Sequence, residues 1–83
     1  MSLTKKEKSF IKNIGKRIVE IREEKKIRQI DLSIKINIED SALRRLESGR
    51  TNPTMKTLLR VADGLDIDFK SLFDFSNLEK HTD

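Results

Sequence analysis

The side chains with the clearest capacity for chemistry are concentrated within residues 28–52, where four arginines lie among serines, asparagines and a threonine. A guanidinium donates hydrogen bonds in a planar fork, which suits it to holding an anion such as a phosphate. Few residues suit catalysis or metal binding, because the chain has no cysteine and a single histidine, His81. No Gly-rich phosphate loop or nucleophile–base pair accompanies the serines and aspartates. We therefore predict no enzymatic activity, no metal site and no cofactor.

Charge is distributed unevenly along the chain. Residues 1–60 contain 16 of the 18 lysines and arginines but 8 of the 14 acidic residues, and the remainder of the chain is net acidic. A basic segment of this kind is typical of a protein that binds a polyanion. Lysine-rich solvated helix faces are also common in small proteins, so charge alone leaves both interpretations open.

Two short predicted helices position the arginines. The first covers residues 29–36 and the second covers residues 40–48, with Asn37-Ile38 as a tight connection. Gly49 ends the second helix, and Asn52-Pro53 favours an extended turn after it. Two short helices joined by such a turn are typical of a helix-turn-helix, whose second helix enters the major groove of DNA.

Residues 29–36 also carry a strand signal, because isoleucine or leucine alternates with polar residues. We predict a helix nevertheless. The flanking segments are helical, and an isolated strand would have no partner for its backbone hydrogen bonds.

Three further helices complete the expected domain. Residues 5–26 have an apolar stripe at helical spacing, and Thr4 with Glu7 suits a capping box. The stripe consists of Phe10, Ile14, Ile18 and Ile21. Residues 55–65 repeat the pattern, and residues 69–75 form a short last helix. The apolar positions in residues 55–65 are Leu58, Leu59, Ala62 and Leu65.

The sequence thus predicts an all-α fold of one domain, residues 1–76, followed by a polar tail, residues 77–83. No apolar run approaches the roughly 18 residues of a membrane-spanning helix. We expect a soluble, cytoplasmic protein. The five helices are expected near residues 5–26, 29–36, 40–48, 55–65 and 69–75.

The spacing of several motifs resembles the Cro/repressor (Xre-type) helix-turn-helix family. These motifs are Gln29-x-x-Leu32, Asn37-Ile38, Leu43-x-x-Leu46-Glu47-x-Gly49 and Asn52-Pro53. The resemblance extends from Ile14 to Phe73, and the spacing between motifs makes it specific. It implies a five-helix lambda-repressor-like domain that regulates transcription as a homodimer on a palindromic double-stranded operator. Among stand-alone members, the restriction–modification controller proteins fit slightly best.

The resemblance also implies two sets of DNA-contacting residues. The base-reading positions correspond to Asp40, Ser41 and Arg45, with Arg44 adjacent. The phosphate-contacting positions correspond to Arg28, Gln29, Arg50, Thr51 and Asn52. Arg45 suits a guanine edge, whereas Asp40 departs from the usual family residues. For Glu39 and Asp40 we favour a capping role, because acidic residues at a helix start offset its dipole.

Two features concern structure and partners. The resemblance pairs Arg22 with Glu47 in a partly buried ion pair that ties the first helix to the third. It also makes Ile30 and Ile34 an exposed apolar pair at positions that are usually polar in the family.

The phenylalanines near the carboxyl end, Phe69, Phe73 and Phe75, are candidates for a dimer surface. The alternative function is an antitoxin or adaptor that mainly binds a protein partner, such as a toxin. The exposed isoleucines and the Phe-rich segment would then form its binding surface.

Overall fold

The computed structural model describes residues 2–79, and every regular element within them is helical. The elements are α1 (Lys5–Glu24), α2 (Gln29–Lys35), α3 (Asp40–Glu47), α4 (Met55–Leu65), a 3₁₀ helix (Phe69–Phe73) and α5 (Ser76–Glu79). The predicted all-α fold is confirmed, and the segment with the strand signal is helical as α2. No helix within these residues is long and apolar enough to cross a membrane.

Local signals in the sequence explain where the helices begin and end. Thr4 and Glu7 form the predicted capping box on α1, and Thr54 caps α4 by accepting from the Thr57 N–H. The turn after α2 places Asn37 at a φ of 57°, and the turn after α3 places Gly49 at a φ of 75°. Asparagine and glycine tolerate this left-handed region best, which is why the chain turns at these positions.

Two predicted helix ends are wrong. α1 stops at Glu24 rather than at residue 26, because Lys26 has a φ of 58°. The predicted helix over residues 69–75 is instead a 3₁₀ helix that ends at Phe73. The Asp74 backbone is extended, and its carboxylate accepts hydrogen bonds from the Ser76 N–H (3.1 Å) and hydroxyl (2.7 Å), which starts α5. α5 spans the expected boundary between domain and tail, and residues 80–83 of that tail lie outside the described residues.

The core is formed by apolar residues from α1 to α4 and the 3₁₀ helix. The largest fully buried side chains within it are Ile18, Leu32, Leu43, Leu46, Val61, Leu65 and Leu72. Two stripe predictions need correction. Phe10 is 46% exposed while Ile11 beside it is buried, and Leu59 is exposed while Val61 is buried. The other three residues of each predicted stripe are buried, so only one position in each stripe was assigned to the core wrongly.

Glycine lets α1 and α3 approach closely. A Cβ atom at Gly15 would lie 2.5 Å from the carbonyl oxygen of Glu47 and 2.6 Å from that of Leu46. Only a residue without a side chain fits at this crossing. The end of α3 is therefore set directly against the middle of α1.

The carboxyl-terminal segment folds back onto α1 through aromatic and polar contacts. The ring of Phe10 stacks on Phe73 at 6.1 Å and meets Phe75 edge-on at 5.4 Å. Arg17 donates from Nε to the carbonyl oxygen of Ser71 (2.9 Å) and pairs with Glu20 (2.6 Å). Phe69, Phe73 and Phe75 are partly buried against the core. These rings complete the core and leave part of their surface open.

Candidate nucleic-acid interface

The outward face of α3 presents the predicted base-reading residues together. Arg44 and Arg45 are exposed, and Asp40 and Ser41 are half-buried near the start of the helix. Nη2 of Arg44 lies 3.5 Å from Oδ2 of Asp40 one turn earlier, so the two charges partly offset each other. Within residues 2–79, no ion pair involves Arg45. Arg45 is therefore the better placed of the two arginines to meet a ligand.

The predicted capping role for the acidic residues is only partly met. Glu39 occupies the N-cap of α3, but its side chain makes no capping hydrogen bond. Asp40 lies in the first turn, where its charge offsets the helix dipole, and its carboxylate pairs with Arg44. The pairing at a spacing of four residues was not predicted, although that spacing is a recognisable signal.

The loop after α3 lies beside Arg45. Gly49 reverses the chain, and the Arg50 N–H then donates to the carbonyl oxygen of Arg45 (2.9 Å). Nε of Arg50 donates to the Ser48 hydroxyl (2.8 Å). A groove of about 190 Å³ between α3 and the loop is lined by Arg45, Thr51 and Asn52 among others. The structure thus brings a predicted base-reading residue and predicted phosphate-contacting residues to one surface.

The two predicted phosphate-contacting side chains at the start of α2 both have partners within the domain. Arg28 forms a two-point ion pair with Asp31, with its Nε and Nη2 each 2.9 Å from a carboxylate oxygen. This hydrogen bonding holds the pKa of the Asp31 carboxyl below its usual value and raises the pKa of Arg28. Nε2 of Gln29 donates to Oε1 of Glu47 (2.8 Å). The Gln29 side chain is therefore engaged within the domain, and its backbone N–H in the first turn is the group left for an anion.

A buried carboxylate holds this surface in place. Glu47 accepts from Nε of Arg22 (2.9 Å) and from its Nη2 (3.1 Å), as the predicted ion pair requires. The two side chains are 13% and 5% exposed, with Glu47 the more buried. Arg22 also donates to the carbonyl oxygen of Ile27 (2.9 Å), just before α2. Because Gln29 shares the same carboxylate, one cluster joins α1, α2 and α3. The contribution of Gln29 was missed, since its type and position alone suggested a surface role.

These features define a class of protein. Two short helices joined by a turn at Asn37, with the second helix anchored to α1 and presenting arginines outward, form a helix-turn-helix domain. A helix-turn-helix family model, HTH_3, matches residues 18–72, and the chain belongs to this family. The resemblance to Xre-type regulators is thereby confirmed.

Comparisons with known proteins agree with this assignment. The immunity repressor protein of Bacillus phage phi105 is 37% identical over 67 residues, covering 81% of this chain and 46% of that protein. Multiprotein-bridging factor 1 of Candida glabrata is 36% identical over 62 residues, covering 75% of this chain and 41% of that protein. The chain spans less than half the length of these curated relatives.

Among solved structures, the fold is similar to the restriction-modification controller protein C.Esp1396I, which was determined as a tetramer in complex with its natural 35-base-pair operator. The TM-score is 0.73 at 28% identity, covering 86% of this chain and 91% of that chain.

Proposed function

We propose that this protein is a sequence-specific DNA-binding transcriptional regulator, which acts in the cytoplasm as a homodimer on a palindromic operator. The observation that carries the proposal is the shared surface of α3 and the loop after it, where exposed Arg45 adjoins Thr51 and Asn52. A phage repressor among the relatives and an operator complex among the similar structures support it.

The two parts of this surface have different tasks in the proposal. α3 enters the major groove, where Arg45 donates to the O6 and N7 atoms of a guanine and Ser41 contacts a neighbouring base. Asp40 and Arg44 flank these contacts on the same face. Phosphate contacts fix the register, and base contacts select the sequence. The phosphate-contacting groups are Arg28, the Gln29 N–H, Arg50, Thr51 and Asn52.

We propose a homodimer because a palindromic operator has two equivalent half-sites, and each requires one copy of α3. Two copies of α3 must lie about 34 Å apart to reach successive major grooves on one face of the duplex. The rings of Phe69, Phe73 and Phe75 are only partly buried and are our candidates for the dimer surface. A domain of this size also gains stability from the additional burial that a dimer provides.

A binding titration tests the proposal. The protein is titrated at two salt concentrations against DNA from upstream of its own gene, with random DNA as competitor. A preference of at least about a thousandfold at the higher salt is the expected result for a specific regulator. Weak binding that ignores sequence and collapses with salt would contradict specific regulation, because only the phosphate attraction would then be present.

One observation favours a second candidate, an adaptor or antitoxin that binds a protein partner. Ile30 and Ile34 are 41% and 71% exposed and lie one turn apart on α2. One of the relatives is named a multiprotein-bridging factor. The double variant Ile30→Ser/Ile34→Ser separates the two candidates. If the protein is a regulator, the double variant should bind DNA as the unaltered protein does. If a protein partner purifies with the unaltered protein and is lost from the double variant, the adaptor is favoured.

A further inference from the structure

The amino-terminal half of α1 lies beside the loop that follows α3. A Cβ atom placed on Gly49 would lie 2.7 Å from Cγ and 2.9 Å from Cα of Lys12. The chain therefore turns directly against the backbone of α1 at this residue. Since Gly49 also has a φ of 75°, both the turn and the close approach require glycine here.

This contact forms a groove with a strongly positive lining. The groove has a volume of about 230 Å³, and its lining includes Lys8, Lys12, Arg50, Thr51 and Asn52. Lys8 and Lys12 are one helical turn apart and thus share a face of α1. Both lysines and Arg50 are exposed, and no residue that lines the groove is acidic. Three cations therefore line one groove, and its surface continues from the loop after α3.

The helix-turn-helix assignment does not account for the two lysines. The family model begins at residue 18, so Lys8 and Lys12 both precede the matched segment. The nearby carboxylate of Glu7 is engaged in the capping box, where it accepts from the Thr4 N–H at 2.8 Å. Ion pairs within the domain therefore do not explain the positive charge of the groove.

We propose that Lys8 and Lys12 form a second DNA-backbone site, which extends the phosphate-binding surface from Arg50 onto α1. This second site rests on the proposed DNA-binding function. Its ligand would be phosphates of the same bound duplex. Lysine suits this task, because its flexible stem carries a compact charge with three donors that need no particular base. The site adds affinity without adding sequence preference.

The salt dependence of binding to a short random-sequence duplex tests the site. Each lysine that neutralises a phosphate releases counterions and contributes about 0.9 to the slope of log affinity against log salt concentration. The double variant Lys8→Gln/Lys12→Gln should therefore show a slope that is shallower by about 1.8 than that of the unaltered protein. The variant Lys8→Arg/Lys12→Arg should retain the original slope.

A matched control separates the local site from net charge. Lys35→Gln/Lys70→Gln removes the same charge from exposed positions on α2 and the 3₁₀ helix, and it should change the slope much less. Equal slopes for the two glutamine variants would overturn the second site and leave the proposed function standing. If the unaltered protein binds neither random nor upstream DNA at low salt, the proposed function itself fails, and this site fails with it.

Discussion

At the scale of single residues, the carboxylate of Glu47 links the fold to the proposed interface. It accepts hydrogen bonds from Arg22 on α1 and from Gln29 on α2 while lying at the end of α3. The resemblance predicted the ion pair from two residues 25 positions apart. It did not predict the hydrogen bond from Gln29 to Glu47, because a surface amide can bind a phosphate or a carboxylate equally well.

Removal of either partner in this ion pair should destabilise the domain. Arg22→Ala or Glu47→Ala leaves a charge buried without its partner, which costs about 3–5 kcal/mol. We expect a marked drop in the unfolding free energy measured by urea titration. Arg28→Ala, which breaks an exposed pair, serves as the control and should change the unfolding free energy far less, because solvent screens exposed ion pairs. Equal effects for buried and exposed pairs would contradict the anchoring role of Glu47.

Two arginines should differ in what they contribute to DNA binding. Arg45→Ala should cost about 1–3 kcal/mol and relax the preference at particular bases, because it removes a base contact. Arg50→Ala should weaken binding to all sequences and make the salt slope shallower by about 1, because it removes a phosphate contact. The measurement is affinity for a set of single-base operator variants at several salt concentrations. Uniform weakening by both substitutions would show that Arg45 does not read bases.

At the scale of elements, the crossing of α1 and α3 depends on Gly15. Gly15→Ala gains about 0.8–1 kcal/mol in helix propensity, but its methyl group collides with the carbonyl oxygens of Leu46 and Glu47. Overpacking of this kind typically costs about 1–3 kcal/mol. We expect net destabilisation in thermal unfolding, together with weaker DNA binding because α3 is displaced. A stabilised variant would contradict the close contact.

The start of α5 should respond to pH through Asp74. Hydrogen bonds from the Ser76 hydroxyl and N–H hold the pKa of the Asp74 carboxyl below its usual value. A lowered pKa means that these contacts stabilise the folded state above the ordinary aspartate pKa and are lost as pH falls through the lowered value. A carboxyl NMR titration should show that Ser76→Ala raises the Asp74 pKa. An unchanged pKa would contradict this account of the helix start.

Most elements and most of the predicted core positions follow from sequence signals, whereas one position in the apolar stripe of α1 and one in that of α4 do not. The caps at Thr4 and Thr54 and the turns at Asn37 and Gly49 are local features, so they bound α1 to α4 closely. Whether Phe10 or Ile11 is buried in α1 depends instead on packing between distant segments. Phe10 joins an aromatic cluster with Phe73 and Phe75, and no local pattern shows this.

In the candidate site, too, the residues could be predicted from the sequence, whereas several of their contacts could not. Its residues were predicted as a set from the resemblance, and the four base-reading candidates share one face of α3, as helical spacing requires. The ion pairs of Arg28 with Asp31 and of Arg44 with Asp40 were missed, although both partners lie within one turn. The groove beside Lys8 and Lys12 depends on the contact between α1 and Gly49, which is distant in sequence.

At the scale of the whole molecule, charge is distributed unevenly along the chain. The basic residues belong mainly to residues 1–60, which include α1 to α3 and the loop after α3, while the rings that we propose for the dimer surface belong to the net-acidic remainder. In the proposed dimer, two such bodies present two copies of α3 to one duplex. We expect positive charge from residues 1–60 to face the DNA and the rings of Phe69, Phe73 and Phe75 to be available for contact between the copies.

Methylation interference on the upstream DNA tests the central claim that α3 reads bases in the major groove. Methylation of guanine at N7 modifies the major groove, whereas methylation of adenine at N3 modifies the minor groove and serves as an internal control. We predict that N7 methylation blocks binding at two clusters of guanines about 34 Å apart along the duplex, one for each α3 of a dimer. Binding that tolerates N7 methylation throughout the protected site would contradict the claim.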